Sequence, residues 1–224
     1  SDSDLRKTVL EINPTVVAYS ANVLGFANII RKHKEALSTY KFISILGGPQ
    51  ATFFPESFNE SGVDAYCIGE GELAFGEFLD CIEEGKSFDS VLNLITAKGR
   101  NSVRPLIENL DMLPVLDRDL VLSNSFLSSV SKKTFYATRG CPYTCTYCCN
   151  NYYHELYRNK GKFVRRFSVE RTIKEIEYVK QHYTTDFVKF GDDIFAIRAD
   201  DWMREFAQKY KDRVGVPFNC YLRF

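Results

Sequence analysis

The stretch Arg139-Gly140-Cys141-Pro142-Tyr143-Thr144-Cys145-Thr146-Tyr147-Cys148 places three cysteines in the spacing C-x3-C-x2-C. Residues 134–138, just ahead of it, read as a short β-strand. Soft thiolates in so short a loop select zinc or an iron–sulfur cluster. A closed zinc site needs four ligands, usually two separated pairs, and no distant C-x-x-C pair accompanies this trio. A 4Fe-4S cluster normally takes one thiolate per iron, so three leave one iron open to an outside chelator. A zinc knuckle or plain buried cysteines are the competing readings. Cys149 is either an alternative ligand or a packed thiol.

Downstream, Ser168 suits the N-cap of a helix through His182, with Ile173, Ile176 and Val179 on one face. Residues 186–190 read as a second strand, ending in Gly191-Asp192-Asp193. A helix over 200–211 sets Trp202, Phe206 and Tyr210 four apart, and 216–222 reads as a third strand. Alternating strands and helices imply a parallel sheet whose carboxyl edge gathers the functional groups. Asp192 and Asp193 either face that edge or cap the next turn. The basic group Lys160, Lys162, Arg165 and Arg166 reads as a solvated loop.

Upstream, the same alternation appears. Val16–Ser20, 42–46 and 65–68 read as strands. A helix over 26–37 carries Phe26, Ile29, Ile30 and Leu37 on one face, with His33 near it as a packed or half-exposed side chain. A second helix, 72–84, has Leu73, Leu79 and Ile82 inward and Gly85 as its stop. Each strand ends in a small or turn-forming segment: Ser20-Ala21-Asn22, Gly47-Gly48-Pro49 and Gly69-Glu70-Gly71-Glu72. In a parallel sheet these share the ligand edge, although tight turns alone would also explain them. The segment from Gly69 fits the dinucleotide fingerprint G-x-G-x-x-A, but Glu70 and Glu72 would repel a pyrophosphate. Periodicity weakens over 101–131, a linker with room for short helical turns. Cys67, Cys81 and Cys220 read as core. The division expected is 1–104, linker 105–133, and 134–224.

The chain has 224 residues and no formal net charge, with 29 basic and 29 acidic side chains. Nothing in that balance favours nucleic acid or an anionic membrane. No apolar run reaches a membrane span, and the first residues lack a signal-peptide pattern. A cytoplasmic protein is expected. Seven cysteines, four of them within nine residues, suit metal or redox chemistry better than a disulfide framework.

The cysteine spacing, with Tyr147 before the last cysteine, resembles the radical SAM superfamily. The α/β half ahead of it, with Gly47-Gly48 and Gly-Glu-Gly-Glu, is similar to its cobalamin-binding subfamily. The resemblance implies a partial Rossmann-like (cobalamin-binding type) parallel sheet, then the first part of a (β/α) partial barrel. It implies Cys141, Cys145 and Cys148 as ligands of a 4Fe-4S cluster. It implies S-adenosylmethionine (SAM) on the open iron, contacted by Tyr147, Asp192, Asp193 and Arg223, and cleaved to a 5′-deoxyadenosyl radical. Arg223 reads equally well as a surface arginine. Cobalamin would lie along Ser20, Gly47, Gly48, Gly69 and Glu70. The family's first strand and D-x-H-x-x-G motif do not precede Val16, and three barrel strands stand where about six (βα) units are usual. The chain therefore reads as an internal fragment.

The expected function is a cobalamin-dependent methyltransferase acting on a small molecule, with an external one-electron reductant. Alternatives are a radical SAM cyclase or oxidoreductase without methyl transfer, or a non-catalytic metal- or corrin-binding module.

Overall fold

The computed structural model describes residues 5–223. They fall into two compact units: residues up to Pro105 with Glu155–Tyr157, and Leu106–His154 with residues from Arg158 onward.

The first unit opens with helix α1 (Leu5–Ile12) and continues β1 (Val16–Ser20), α2 (Val23–Leu37), β2 (Ile43–Gly47), α3 (Pro49–Phe53), α4 (Phe58–Ser61), β3 (Ala65–Cys67) and α5 (Glu72–Glu83). The sheet is completed by β4 (Leu94–Thr96) and β5 (Gly99–Arg100). Strand order follows chain order, β1-β2-β3-β4-β5. β1, β2 and β3 are parallel, in register Val16↔Ile43 and Ile45↔Ala65, so Ser20, Gly47 and Cys67 end at one edge. β4 and β5 are antiparallel additions. The sheet is thus mixed, where strand–helix alternation alone predicts a parallel one. The short apolar run 94–96 lies beside the aperiodic segment and carries too few residues to reveal its period.

One layer packs Ile45, Ala65, Cys67, Ala74, Phe78, Val91 and Leu94; on the α1–α2 side Val9, Ala36 and Phe42 are buried. Full burial of a side chain such as Phe78 is worth about 2–3 kcal/mol. In α5 the buried pair is Ala74 and Phe78. Leu73 and Leu79, expected inward, are exposed, because the phenyl ring of Phe78 sets the helix's rotation. His33 is fully buried: its Nε2–H donates to the Gly62 carbonyl at 3.1 Å, and Tyr19 donates its hydroxyl to Nδ1 at 3.2 Å.

The second unit starts with two short helices, α6 (Asp119–Leu122) and α7 (Ser125–Ser129), in the expected linker. Then come β6 (Lys132–Phe135), β7 (Thr138–Arg139), α8 (Cys149–Leu156), β8 (Arg165–Arg166), α9 (Val169–His182), β9 (Phe187–Phe190), α10 (Asp201–Lys209) and β10 (Phe218–Asn219). Helix α8 continues past the unit boundary at its last turn. The three-stranded sheet runs β10-β9-β6, all parallel, with Phe135↔Phe190 and Phe218↔Val188 paired. β7 and β8 form a separate antiparallel pair. The Ser168 hydroxyl caps α9 by accepting the Arg171 amide at 3.2 Å. The core is aromatic: Phe190, Phe195, Phe206 and Tyr210 pack with Ile173, Ile176 and Val188. The run expected as strand 216–222 pairs only at Phe218–Asn219, with a lone bridge from Leu222 to Ala196.

Two of the basic residues expected in a solvated loop are not solvated. Arg165 is buried and donates to the Ile107 carbonyl at 2.9 Å. Arg166 pairs with Asp200 at 2.7 Å and stacks over Trp202. A guanidinium can satisfy carbonyls and rings in a fixed plane, which charge counting cannot foresee. Among the described residues, no helix is long and apolar enough to cross a membrane.

Candidate metal centre and ligand edge

β6 ends at Phe135, and the chain leaves the parallel sheet, pairs briefly as β7, and turns into the cysteine loop. Gly140 makes that turn at φ +84°, and a Cβ there would collide with the Phe163 carbonyl. The loop then folds back, with the Cys148 amide donating to the Cys145 carbonyl at 3.0 Å. α8 begins directly at Cys149. His154, on α8, donates from Nε2 to the Cys141 carbonyl at 2.8 Å and lies against the Phe163 ring. His154 thus holds the loop's backbone, and its partner, a carbonyl, leaves no pattern in the sequence.

Cys141, Cys145 and Cys148 are all partly accessible, and Cys149 is exposed. Burial pushes the Cys141 thiol up, and the charges of Asp193, Cys148 and Cys145 push the same way, against a backbone hydrogen bond from Tyr143. Cys149 is also raised, first by burial and then by Cys148 and Asp193. Asp193 therefore lies within electrostatic reach of the thiols. Arg223 brings a cation: its Nη1 is 3.8 Å from the Cys145 sulfur, and its guanidinium lies 4.1 Å above the Tyr143 ring. Tyr147 is 90% exposed, its ring free to meet a ligand.

Asp192 and Asp193, grouped by the sequence, part company in space. Asp193 is exposed, whereas Asp192 is 2% exposed, with Oδ1 accepting from the Ala137 amide at 2.9 Å and the Thr138 hydroxyl at 2.7 Å. Adjacent residues on a chain leaving a strand point to opposite sides, so one aspartate had to turn inward. Asp192 is closed to an outside ligand, which removes it from the expected cofactor contacts.

In the first unit a hollow of about 340 Å³ opens over the carboxyl ends of β1, β2 and β3. Its lining includes Ser20, Gly47, Gly48 and Gly69 of the expected set, with Tyr19, Cys67 and Phe75 beside them. Glu70 is not in the lining; its amide instead donates to Tyr157. Burial raises the Cys67 thiol to about 11 and the Tyr19 phenol to about 12. Cys67 is buried in the core as expected and, as the last residue of β3, also forms a wall of the hollow.

No family model matches the chain. It is 31% identical over 204 residues to an uncharacterized methyltransferase of Pyrococcus horikoshii, covering 87% of this chain and 43% of that protein. It is 27% identical over 188 residues to TokK of Streptomyces tokunonensis, a cobalamin-dependent radical SAM methyltransferase, covering 78% of this chain and 27% of TokK. The fold matches that of OxsB, a cobalamin-dependent S-adenosylmethionine radical enzyme, at a TM-score of 0.75 and 19% identity, over 98% of this chain and 32% of OxsB. The relatives and structural neighbours it resembles include cobalamin-dependent radical SAM enzymes. It spans less than half the length of these relatives. The cysteine trio, Asp193, Arg223 and Tyr147 all lie in the second unit, and the glycine-lined hollow lies in the first.

Proposed function

We propose that this chain is part of a radical SAM enzyme that transfers a methyl group to a small-molecule substrate with the help of cobalamin. The observation that carries the reading is the cysteine trio in one short loop just after the first strand of a parallel β/α sheet, where a (β/α) barrel gathers its chemistry. The donors suit a four-iron cluster. They are three soft thiols from one loop, partly accessible, and each can take its own iron. Among the described residues no three Cys, His, Asp or Glu side chains are gathered closely enough to grip a single ion.

When bound, the cluster with SAM supplies reductive cleavage of the sulfonium, and cobalamin supplies a methyl carrier. The residues of this chain have simpler tasks. Cys141, Cys145 and Cys148 bind iron and leave one corner open. Asp193 offers a carboxylate to the SAM ammonium, and Arg223 a guanidinium to its carboxylate, both as charge-assisted hydrogen bonds. Tyr147 provides an exposed ring beside them. Gly47, Gly48, Gly69 and Ser20 line the hollow that would take the nucleotide tail of cobalamin. Its walls, Ile45, Phe75 and Cys67, exclude water from a flat aromatic base.

The test is anaerobic reconstitution of the intact protein, followed by electron paramagnetic resonance of the reduced cluster with and without SAM. A spectrum that shifts on addition, with 5′-deoxyadenosine or a methylated product formed, is expected. Stoichiometric zinc in place of iron would overturn the reading.

A further inference from the structure

Asp192 carries an arrangement that cofactor binding does not explain. Its side chain is buried, yet it lies just past the end of β9, at the edge where ligands are expected. One oxygen, Oδ1, takes three donors: the Ala137 amide at 2.9 Å, the Thr138 amide at 2.5 Å and the Thr138 hydroxyl at 2.7 Å. The Thr138 hydroxyl also reaches the Ile194 carbonyl at 3.1 Å. The other oxygen, Oδ2, is buried without a hydrogen-bond partner.

Those donors sit where the parallel ladder stops. The last rung between β6 and β9 is Phe135↔Phe190, continued by the Gly191 amide donating to the Phe135 carbonyl at 2.9 Å. Past it, the amides of Ala137 and Thr138 are taken by the Asp192 side chain, where the ladder would have offered a backbone carbonyl. Buried amides left without an acceptor are costly. The next three residues are Arg139, Gly140 and Cys141. The carboxylate therefore fixes the direction in which the chain leaves the sheet toward its first thiol. Gly140, held by its own backbone angle under the Phe163 carbonyl, gives little freedom to correct an error made at Thr138.

We infer that Asp192 is the positioning residue of the cysteine loop, a side-chain acceptor that replaces a missing strand rung and sets Cys141 in register with Cys145 and Cys148. The statement about the cluster rests on the iron–sulfur reading; the statement about the loop does not. The acceptor, not the charge, performs the task, because only Oδ1 is used. Asp193, one residue on, is left to face the ligand side.

The experiment separates the two aspartates in the intact protein. Amide hydrogen exchange is first read in the iron-free protein. Asp192→Ala should speed exchange at Ala137 and Thr138 by about tenfold or more, the effect expected when shielded amides lose their acceptor. Asp192→Asn keeps an acceptor oxygen and should stay near wild type. After reconstitution, Asp192→Ala should hold several-fold less iron, Asp192→Asn should load as wild type does, and Asp193→Ala should load fully yet lose the spectral response to SAM. Unchanged exchange in Asp192→Ala would overturn the inference. So would Asp192→Asn exchanging at Ala137 and Thr138 about tenfold faster than wild type or losing most of its iron, and this arm decides if the alanine variant does not fold. A wild-type protein that takes up no iron would sink the cluster reading, while the exchange comparison would still judge Asp192.

Discussion

The Glu70 amide donates to the Tyr157 hydroxyl at 2.6 Å, 87 residues away in sequence. Tyr157 is buried, and its hydroxyl occupies the place where any Cβ on Gly69 would have to go. Removing the hydroxyl in Tyr157→Phe should destabilise the first unit by about 1–2 kcal/mol, because a shielded amide loses this acceptor. Gly69→Ala should cost more, since it adds a collision to a φ of +73°. Urea unfolding followed by tryptophan-independent circular dichroism would rank the two variants.

The three thiols of the loop should not be interchangeable with the fourth cysteine. Cys141→Ala, Cys145→Ala and Cys148→Ala are each expected to abolish a reconstituted four-iron cluster, and Cys149→Ala to retain it. Iron analysis together with visible absorption would decide, and a stable cluster in any of the first three would reassign the ligands.

Gly140→Ala tests the entry to the loop from its other side. The substitution places a methyl group against the Phe163 carbonyl at a left-handed backbone angle, at a cost of about 2 kcal/mol or more. Lower thermal stability and lower iron uptake should appear together, and a variant with wild-type melting and full iron would show that the loop can rearrange.

Gly47→Leu probes the hollow without straining the backbone. A Cβ at Gly47 meets nothing nearer than the Cys67 Cβ at 3.9 Å, so the fold should tolerate the side chain while the space above β2 fills. Aquacobalamin binding, followed by its visible spectrum, should weaken at least tenfold if burying the base supplies about 1.4 kcal/mol or more. Iron loading should not change.

Acid should loosen the second unit through Glu170. Hydrogen bonds from Lys209 and Arg213 lower its carboxyl from 4.5 to about 2. A carboxyl depressed in the folded state adds stability above its unfolded value, and that contribution is lost as pH falls toward 2. Melting temperatures of wild type and Glu170→Gln should differ near neutral pH and converge between about pH 4.5 and pH 2. Salt should shrink the gap, because the group is partly exposed.

Much of this architecture was legible in the residues. Val16–Ser20 appears as read, and the helix capped by Ser168 ends at His182 as expected. Such elements declare themselves through periodicity and a capping side chain. The cysteine loop stood out because three thiols at fixed short spacing follow directly on a strand. Asp192 was misread because two neighbouring aspartates look alike until the sheet assigns each a side. Tyr157 and His154 were missed because their partners are backbone groups, which leave no mark in a sequence. Leu73 and Leu79 were misplaced because a single large ring, Phe78, outweighed two leucines in turning a helix.

The strands of the first sheet stand in the order in which the chain makes them. Among the described strands there is no reversal of strand order from which a crevice would open by topology alone. The concavity above their ends is made by subtraction, from four glycines among its lining residues. Glycine has nothing left to remove, so point substitutions at those four places can only tighten the fit. Accommodation of a bulkier guest would have to come through Tyr19, Ile45 or Phe75, which gives the site an upper size limit that drifts easily downward and only narrowly upward.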